Sequence, residues 1–131
     1  MEQNDKTKPE FLQPKYVSKG WGSEIWMVNN NKYCGKLLVF NSSAKFSMHF
    51  HKDKDETWYV MDGEFIFRWI DTSNAQIHES KLSKGDCVRI YPCVLHQLET
   101  KSGGTIIETS TEHFDSDSYR VMPGDSQKII L

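Results

Sequence analysis

The chain has 131 residues, 37% of them hydrophobic and 12% aromatic, with a formal net charge of −2 at pH 7. This length suits one domain with a single hydrophobic core, and the composition is that of a globular protein rather than a disordered chain. Because lysines and arginines are mixed with acidic residues throughout, and because no apolar run approaches the ~18 residues that cross a bilayer, we expect neither a nucleic acid nor a membrane as partner.

Residues 1–15 are predicted to form a flexible N-terminal arm, and residues 16–131 a single barrel domain. The arm is polar and charged, and Pro9 and Pro14 oppose a helix there. The three cysteines are Cys34, Cys87 and Cys93. They form no CxxC pair, and the sequence does not open with the basic start and apolar core of a secretory signal. These features favour a cytoplasmic location.

From Trp21 onward, short stretches rich in β-branched and aromatic residues alternate with turn residues. The predicted strands are residues 24–28, 33–40, 45–51, 56–61, 64–70, 76–82, 86–91, 96–100 and 105–110. No segment shows sustained helical periodicity. Many short strands at this spacing predict an all-β sandwich or barrel, and a jelly roll would close the edges that a single sheet leaves exposed.

Two apolar surfaces are predicted from the alternation within strands. Phe65, Phe67 and Trp69 occupy alternate positions and should face the inside of the barrel. The members of the outer surface are Trp26, Met27, Tyr59 and Met61. Because small barrels often cover such a surface with a second subunit, we expect a homodimer.

His49 and His51 are separated by one residue on a predicted strand. A strand sends residues i and i+2 to the same side, about 7 Å apart, so both imidazoles can face one metal ion. The charged residues 52–55 are typical of a turn that would bring Glu56 back beside them, and His96 adds a third imidazole. These four residues are therefore predicted to bind a divalent ion, and their chemistry does not choose among Zn, Mn, Fe and Ni.

The order His-x-His-x4-Glu-x6-Gly, followed by Gly-Asp at 85–86 and by His96, resembles the two sequence motifs of the cupin superfamily over about residues 35–108. Ser43 and Cys93 stand where those motifs usually carry glycine, and Tyr91 takes the place of a proline. The resemblance implies a single-domain cupin jelly-roll barrel, or double-stranded β-helix, with the four predicted ligands around one metal ion.

A closer resemblance covers most of the chain, from Lys19 to about Arg120. The segments 19–23 and 47–58 are similar to those of type II phosphomannose isomerases and of the isomerase part of bifunctional mannose-1-phosphate guanylyltransferases. His49 replaces that family's glutamine, and Lys54 replaces its arginine. The resemblance implies aldose–ketose interconversion of a sugar or sugar phosphate, as in a mannose-6-phosphate isomerase.

This second resemblance also implies roles for residues outside the metal set. Glu108 is the candidate catalytic base, with Lys54 and His113 as alternatives. The candidates for substrate contact are Trp58, Tyr91, Arg120 and Lys36. Trp58 shares a strand face with Glu56, where its ring either stacks on a sugar or fills the core. A phosphate would need cations, and motif position favours Arg120 and Lys54.

Because a barrel alone does not settle the chemistry, three functions remain open. The first is a metal-dependent sugar or sugar-phosphate isomerase or epimerase. The second is another metal-dependent cupin enzyme, such as an iron dioxygenase or a lyase acting on a small carboxylate. The third is a cupin that binds a sugar without turnover.

Overall fold

The computed structural model describes residues 6–127, which form eleven strands and two short 3-10 turns. The strands are β1 Lys15–Lys19, β2 Gly22–Asn29, β3 Cys34–Phe40, β4 Ala44–Lys45, β5 Met48–Phe50, β6 Glu56–Asp71, β7 Gln76–Ser83, β8 Cys87–Ile90, β9 Leu95–Thr100, β10 Gly104–Ser110 and β11 Tyr119–Met122. None of the residues described forms a helix with the length and hydropathy of a membrane span. The prediction for the N-terminal arm falls partly on residues 1–5, which lie outside the described range.

Strands that are distant in the sequence are neighbours in the sheet. The order is β1-β2-β3-β10-β6-β9-β5-β11, while β4 pairs with β9, and β7 and β8 both pair with β6. Every pairing is antiparallel. This topology confirms the prediction of an all-β jelly-roll barrel.

The long strand β6 belongs to both halves of the barrel. Its first part pairs with β8 and β10, and its second part pairs with β7 and β9. The predicted break at Asp62-Gly63 is therefore wrong, because the strand bends there without ending. Gly63 has a φ of 88°, and the register with β10 shifts between Thr105 and Ile106. Met61 is the residue left without a partner at this bulge, and the glycine two residues later allows the bend.

Two strands were not predicted, and one predicted strand is divided. Strands β1 and β11 lack a clear apolar face, since most of their residues are exposed. The predicted strand over residues 45–51 is two short strands, β4 and β5. Sequence alternation detects half-buried strands, so strands held mainly by main-chain pairing escape it.

The predicted inner surface is confirmed, whereas one member of the predicted outer surface is wrong. Phe65 and Phe67 are buried in the core, and Trp69 packs against it. Met27, Tyr59 and Met61 are exposed, but Trp26 lines an internal cavity. Adjacent residues of a strand point to opposite sides, and a bulge between Trp26 and Val28 leaves Met27 without a partner in register.

Both residues that replace motif glycines adopt the left-handed backbone conformation that glycine favours. Ser43 has a φ of 54°, and Cys93 has a φ of 72°. The N–H of Cys93 donates to the carbonyl of His51 over 2.6 Å. The loop before β9 is therefore tied to the strand segment that carries the paired histidines, although it has no glycine.

Replacing Gly63 with alanine is expected to destabilise the protein far more than the matched change at Gly85. Both glycines have positive φ, near 90°. A Cβ at Gly63 would lie 2.2 Å from the carbonyl oxygen of Gly103, whereas a Cβ at Gly85 would meet nothing within 4 Å. We expect a loss of about 1–2 kcal/mol for Gly85→Ala and at least about 2 kcal/mol more for Gly63→Ala. Urea unfolding of both variants measures the difference, and equal losses would contradict the close contact.

Candidate metal centre

Three imidazoles converge inside the barrel. His49 lies on β5, His51 follows that strand directly, and His96 lies on β9 opposite His49 in register. One ring nitrogen from each lies within 4.8 Å of the other two. His51 and His96 are buried, and His49 is partly buried. These three side chains can hold a metal ion.

Each imidazole is oriented by a backbone carbonyl. The Nδ1 atoms of His49, His51 and His96 lie 2.8, 2.7 and 2.8 Å from the carbonyl oxygens of Ser47, Asp117 and Val94. Because a carbonyl only accepts, each Nδ1 carries the proton and each Nε2 presents a lone pair. Burial lowers the pKa of all three rings to about 3, so they are neutral at pH 7. This is the arrangement by which proteins orient histidine ligands.

Glu56 extends the donor set. Its Oε2 lies 3.3 Å from His51 Nε2, and the carboxylate is buried. Among the described residues no hydrogen-bond donor reaches this Oε2 or His96 Nε2. Burial, and then the charge of Glu108, raises the pKa of Glu56. Three imidazole lone pairs that converge beside a buried carboxyl group fit a shared cation, which would also favour the ionised form of Glu56, so the residues suit a divalent ion. Glu56 as a fourth ligand stays a prediction.

A buried ion pair lies beside this centre. Lys54 Nζ is 2.9 Å from Glu108 Oε2, and both side chains are almost fully buried. Burial opposes ionisation of Glu108, but the charges of Lys54 and Lys36 outweigh burial and lower its pKa. Burial also opposes the charge of Lys54, yet Glu108 and Glu56 outweigh it and raise that pKa. The Lys54–Glu108 pair therefore stays charged at neutral pH. Because the pKa of Glu56 is raised and that of Glu108 is lowered, these two carboxyl groups favour different protonation states.

His49 and His51 open on a cavity of about 570 Å³, which His96 does not line. The predicted site residues that line it are Lys36, His49, His51, Lys54, Glu56, Trp58, Glu108 and Arg120. Trp58 packs 5.5 Å from the His96 ring and belongs to the hydrophobic core, so it serves as core and cavity wall together.

The structure does not bring Tyr91 to the cavity. Its ring is 56% exposed, and the Arg89 guanidinium lies 4.3 Å from its centroid. Ile90 is buried, and the next side chain along an extended segment points the opposite way. A role of Tyr91 in substrate contact therefore has no geometric support here.

Asp117 supports the site, and sequence reasoning did not single it out. Its carboxylate accepts the backbone N–H groups of Lys52 at 2.8 Å and Lys54 at 3.1 Å, and also that of Asp53. Its own carbonyl orients His51. One residue thus positions one of the three converging histidines and the loop that carries Lys54. The contacts span more than 60 residues of sequence, so no local pattern reveals them.

Comparisons with known proteins agree with the β-barrel fold described above. The family model described as Cupin domain matches residues 36–107, and no curated protein matches the chain. Capsular polysaccharide assembling protein CapF from Staphylococcus aureus superposes with a TM-score of 0.74 at 19% identity, covering 86% of this chain and 32% of that chain. Oxalate decarboxylase from Bacillus subtilis superposes with a TM-score of 0.71 at 14% identity, covering 82% of this chain and 30% of that chain.

An RmlC-like cupin from Shewanella frigidimarina NCIMB 400 is closer to this chain in length. It gives a TM-score of 0.66 at 23% identity, covering 79% of this chain and 88% of that chain. By contrast, the chain spans about a third of the length of CapF and of oxalate decarboxylase. At these identities the likeness establishes the fold alone.

Replacing His51 with alanine is expected to remove most of the bound metal while the barrel remains folded, because a ligand is lost but the core is untouched. His78→Ala is the matched control, since that ring stacks on Trp69 and is not one of the three converging imidazoles. Elemental analysis of protein purified without a nickel column measures metal per chain. Full metal retention in His51→Ala would remove this residue from the ligand set.

Asp117→Ala is expected to lower metal affinity by about 10- to 100-fold, because the loop that follows His51 loses its anchor. Ser116→Ala, one position earlier in the same turn, should leave the affinity unchanged. Competition with a chelating dye measures both. If the two variants bind metal equally well, Asp117 does not position the centre.

Proposed function

Because this chain belongs to the Cupin domain family, we propose that it is a metal-dependent isomerase or epimerase that acts on a sugar or sugar phosphate. One observation carries the proposal: His49 and His51, two of three converging imidazoles that could hold a metal ion, line a cavity of about 570 Å³ whose wall also bears paired carboxylate and ammonium groups. Such a wall suits a hydroxylated ligand, and the volume suits a molecule of this size. The resemblance of residues 19–23 and 47–58 to phosphomannose isomerases favours a mannose-6-phosphate isomerase-like reaction.

Proton transfer in this proposal belongs to Glu108, with Lys54 as its partner. A divalent ion held by the histidines would supply Lewis acidity to a substrate carbonyl. Glu108 is ionised at neutral pH, as a base must be, and its Oε2 can receive the proton from the carbon next to that carbonyl. Lys54 Nζ, 2.9 Å away, holds the carboxylate in place. The same carboxyl group can then return the proton to the neighbouring carbon.

A phosphate group on the substrate is best received by Arg120. Lys54 already pairs with Glu108, and Lys36 has Glu24 as a neighbour at 3.5 Å. Arg120 lines the cavity from β11, remains exposed, and lies opposite His49 in register. Its guanidinium can bind a phosphate with two parallel hydrogen bonds.

The structural neighbours also agree with the second candidate function, an enzyme that acts on a small carboxylate. CapF is named for capsular polysaccharide assembly, which agrees with a carbohydrate ligand, whereas oxalate decarboxylase is named for a small carboxylate. Three histidines and a glutamate would serve either chemistry.

A reducing compartment such as the cytoplasm suits the three free thiols.

We expect purified protein to exchange deuterium from solvent into C1 or C2 of a sugar phosphate such as mannose 6-phosphate, as followed by NMR. Glu108→Gln should slow this exchange by at least about 100-fold, because the base is lost. The surface variant Glu64→Gln should exchange normally, and removal of metal with a chelator should stop exchange. If no sugar or sugar phosphate exchanges, isomerase chemistry is rejected. Decarboxylation or oxygen uptake with a small carboxylate would then favour the alternative.

We also propose that the chain forms a homodimer through the exposed surface of Met27, Tyr59 and Met61. These side chains are about 40% exposed, and they belong to β2 and β6, which β3 and β10 separate in the sheet. Exposed apolar side chains of this size favour burial against a second subunit. Sedimentation equilibrium should give about twice the chain mass of 15.2 kDa, and Tyr59→Glu should give a single-chain mass. A wild-type protein that sediments as one chain contradicts the dimer.

A further inference from the structure

The same cavity is lined by a further group of side chains to which the reaction above assigns no contact with the substrate. This distal cluster consists of Glu24, Trp26, Lys36 and His113, all of which line the cavity. Trp26 and Lys36 are cross-strand partners on β2 and β3, and Lys36 in turn faces Glu108 on β10. Strand β3 lies two strands from β6, so Lys36 is about 10 Å from the strand that carries Glu56.

Lys36 offers hydrogen-bond donors that the protein leaves largely unused. The side chain is 1% exposed, and in the described part of the chain its ammonium has one hydrogen-bond partner, Glu24 Oε1, at the long distance of 3.5 Å. That oxygen already accepts the indole N–H of Trp26 at 2.8 Å. The ammonium also lies 4.1 Å from the centroid of the Trp26 ring. An ammonium carries three N–H groups, so donors remain for a ligand.

His113 places a hydrogen-bond acceptor in the same cluster. Its Nε2 lies 2.8 Å from Asp115 Oδ1, so Nε2 carries the proton that this carboxylate accepts. Burial lowers the pKa of His113, which leaves Nδ1 as a lone pair in the neutral ring. Nδ1 is buried and has no hydrogen-bond partner among the residues described. The ring is held edge-on to Trp26 at 4.9 Å.

We propose that the distal cluster is a second subsite, which binds hydroxyl groups of the substrate by donation from Lys36 Nζ and acceptance at His113 Nδ1. A hydroxyl group both accepts and donates, so it matches a donor beside an acceptor. A phosphate group only accepts when ionised, and it would face the lone pair of His113 and the carboxylate of Glu24. The subsite therefore selects the uncharged, hydroxylated part of a sugar.

This inference rests on the proposed function for the choice of a sugar, and it orients that sugar in the cavity. The carbonyl end lies toward the histidines, and the hydroxyl groups extend toward β2 and β3. A phosphate on the same molecule would lie beside Arg120, apart from the distal cluster.

The test measures the binding of mannitol and of inorganic phosphate to the full-length chain by isothermal titration calorimetry. His113→Phe removes the acceptor but keeps a ring against Trp26, and it should weaken mannitol binding roughly tenfold without changing phosphate binding. Arg120→Gln is the matched variant and should weaken phosphate binding alone. The subsite is rejected if mannitol does not bind, if His113→Phe leaves mannitol binding unchanged, or if His113→Phe weakens phosphate binding equally.

A second measurement uses the unmodified protein, so it does not depend on how a variant folds. Mannitol should shift the 15N NMR resonance of His113 Nδ1, because this atom gains a hydrogen bond, and an unmoved resonance at saturating mannitol contradicts the subsite. Mannitol has no carbonyl group and cannot be isomerised. Its binding therefore reports on the subsite even if no sugar phosphate exchanges deuterium, and exchange without mannitol binding would retain the isomerase and reject the subsite.

Discussion

Three backbone carbonyls hold three imidazole rings so that their Nε2 lone pairs face a common interior point. Turning any ring to avoid this convergence would break its Nδ1–H bond to the carbonyl and leave a buried donor unpaired. Protonating the rings is opposed by burial, which lowers their pKa values. The fold thus maintains a set of neutral, converging donors, and a divalent ion is the chemical species that suits them.

The ionisable groups around this centre are arranged in compensating pairs. Lys54 balances Glu108, and Lys36 lies between Glu108 and Glu24. A buried charge is tolerated only beside an opposite charge or a hydrogen-bond partner, so these pairs allow a polar cavity inside a small barrel. Asp117 extends the network to the surface, because it accepts backbone N–H groups of the loop that carries Lys54. The metal centre and the candidate base therefore depend on one set of contacts.

Much of the fold was predictable because β-strands that are buried on one face have an alternating pattern. Phe65 and Phe67 illustrate this, since both lie in the core as their spacing indicates. The pattern failed where backbone geometry overrides it. Gly63 carries β6 through a bend that resembles a turn in the sequence, and a bulge after Trp26 shifts the register of β2 against β3 at Met27. A bulge inserts one residue, so every side chain beyond it faces the opposite side from the one that its position in the alternation predicts.

The amino-acid pattern alone predicts the donor chemistry and the all-β fold class. His49 and His51 share a side only on an extended chain, and the run of short strands excludes a helical fold. The motif order already indicated His96, and the fold brings its imidazole beside the other two. Other features came from the fold alone: Asp117 orients His51, Tyr91 lies outside the cavity, and Trp26 and His113 line it. The difference arises because the interactions that fix these features reach different distances along the chain. Side-chain direction along a strand is set by neighbouring peptide units, whereas contacts in a jelly roll join strands far apart in the chain and depend on register and bulges that no local pattern encodes.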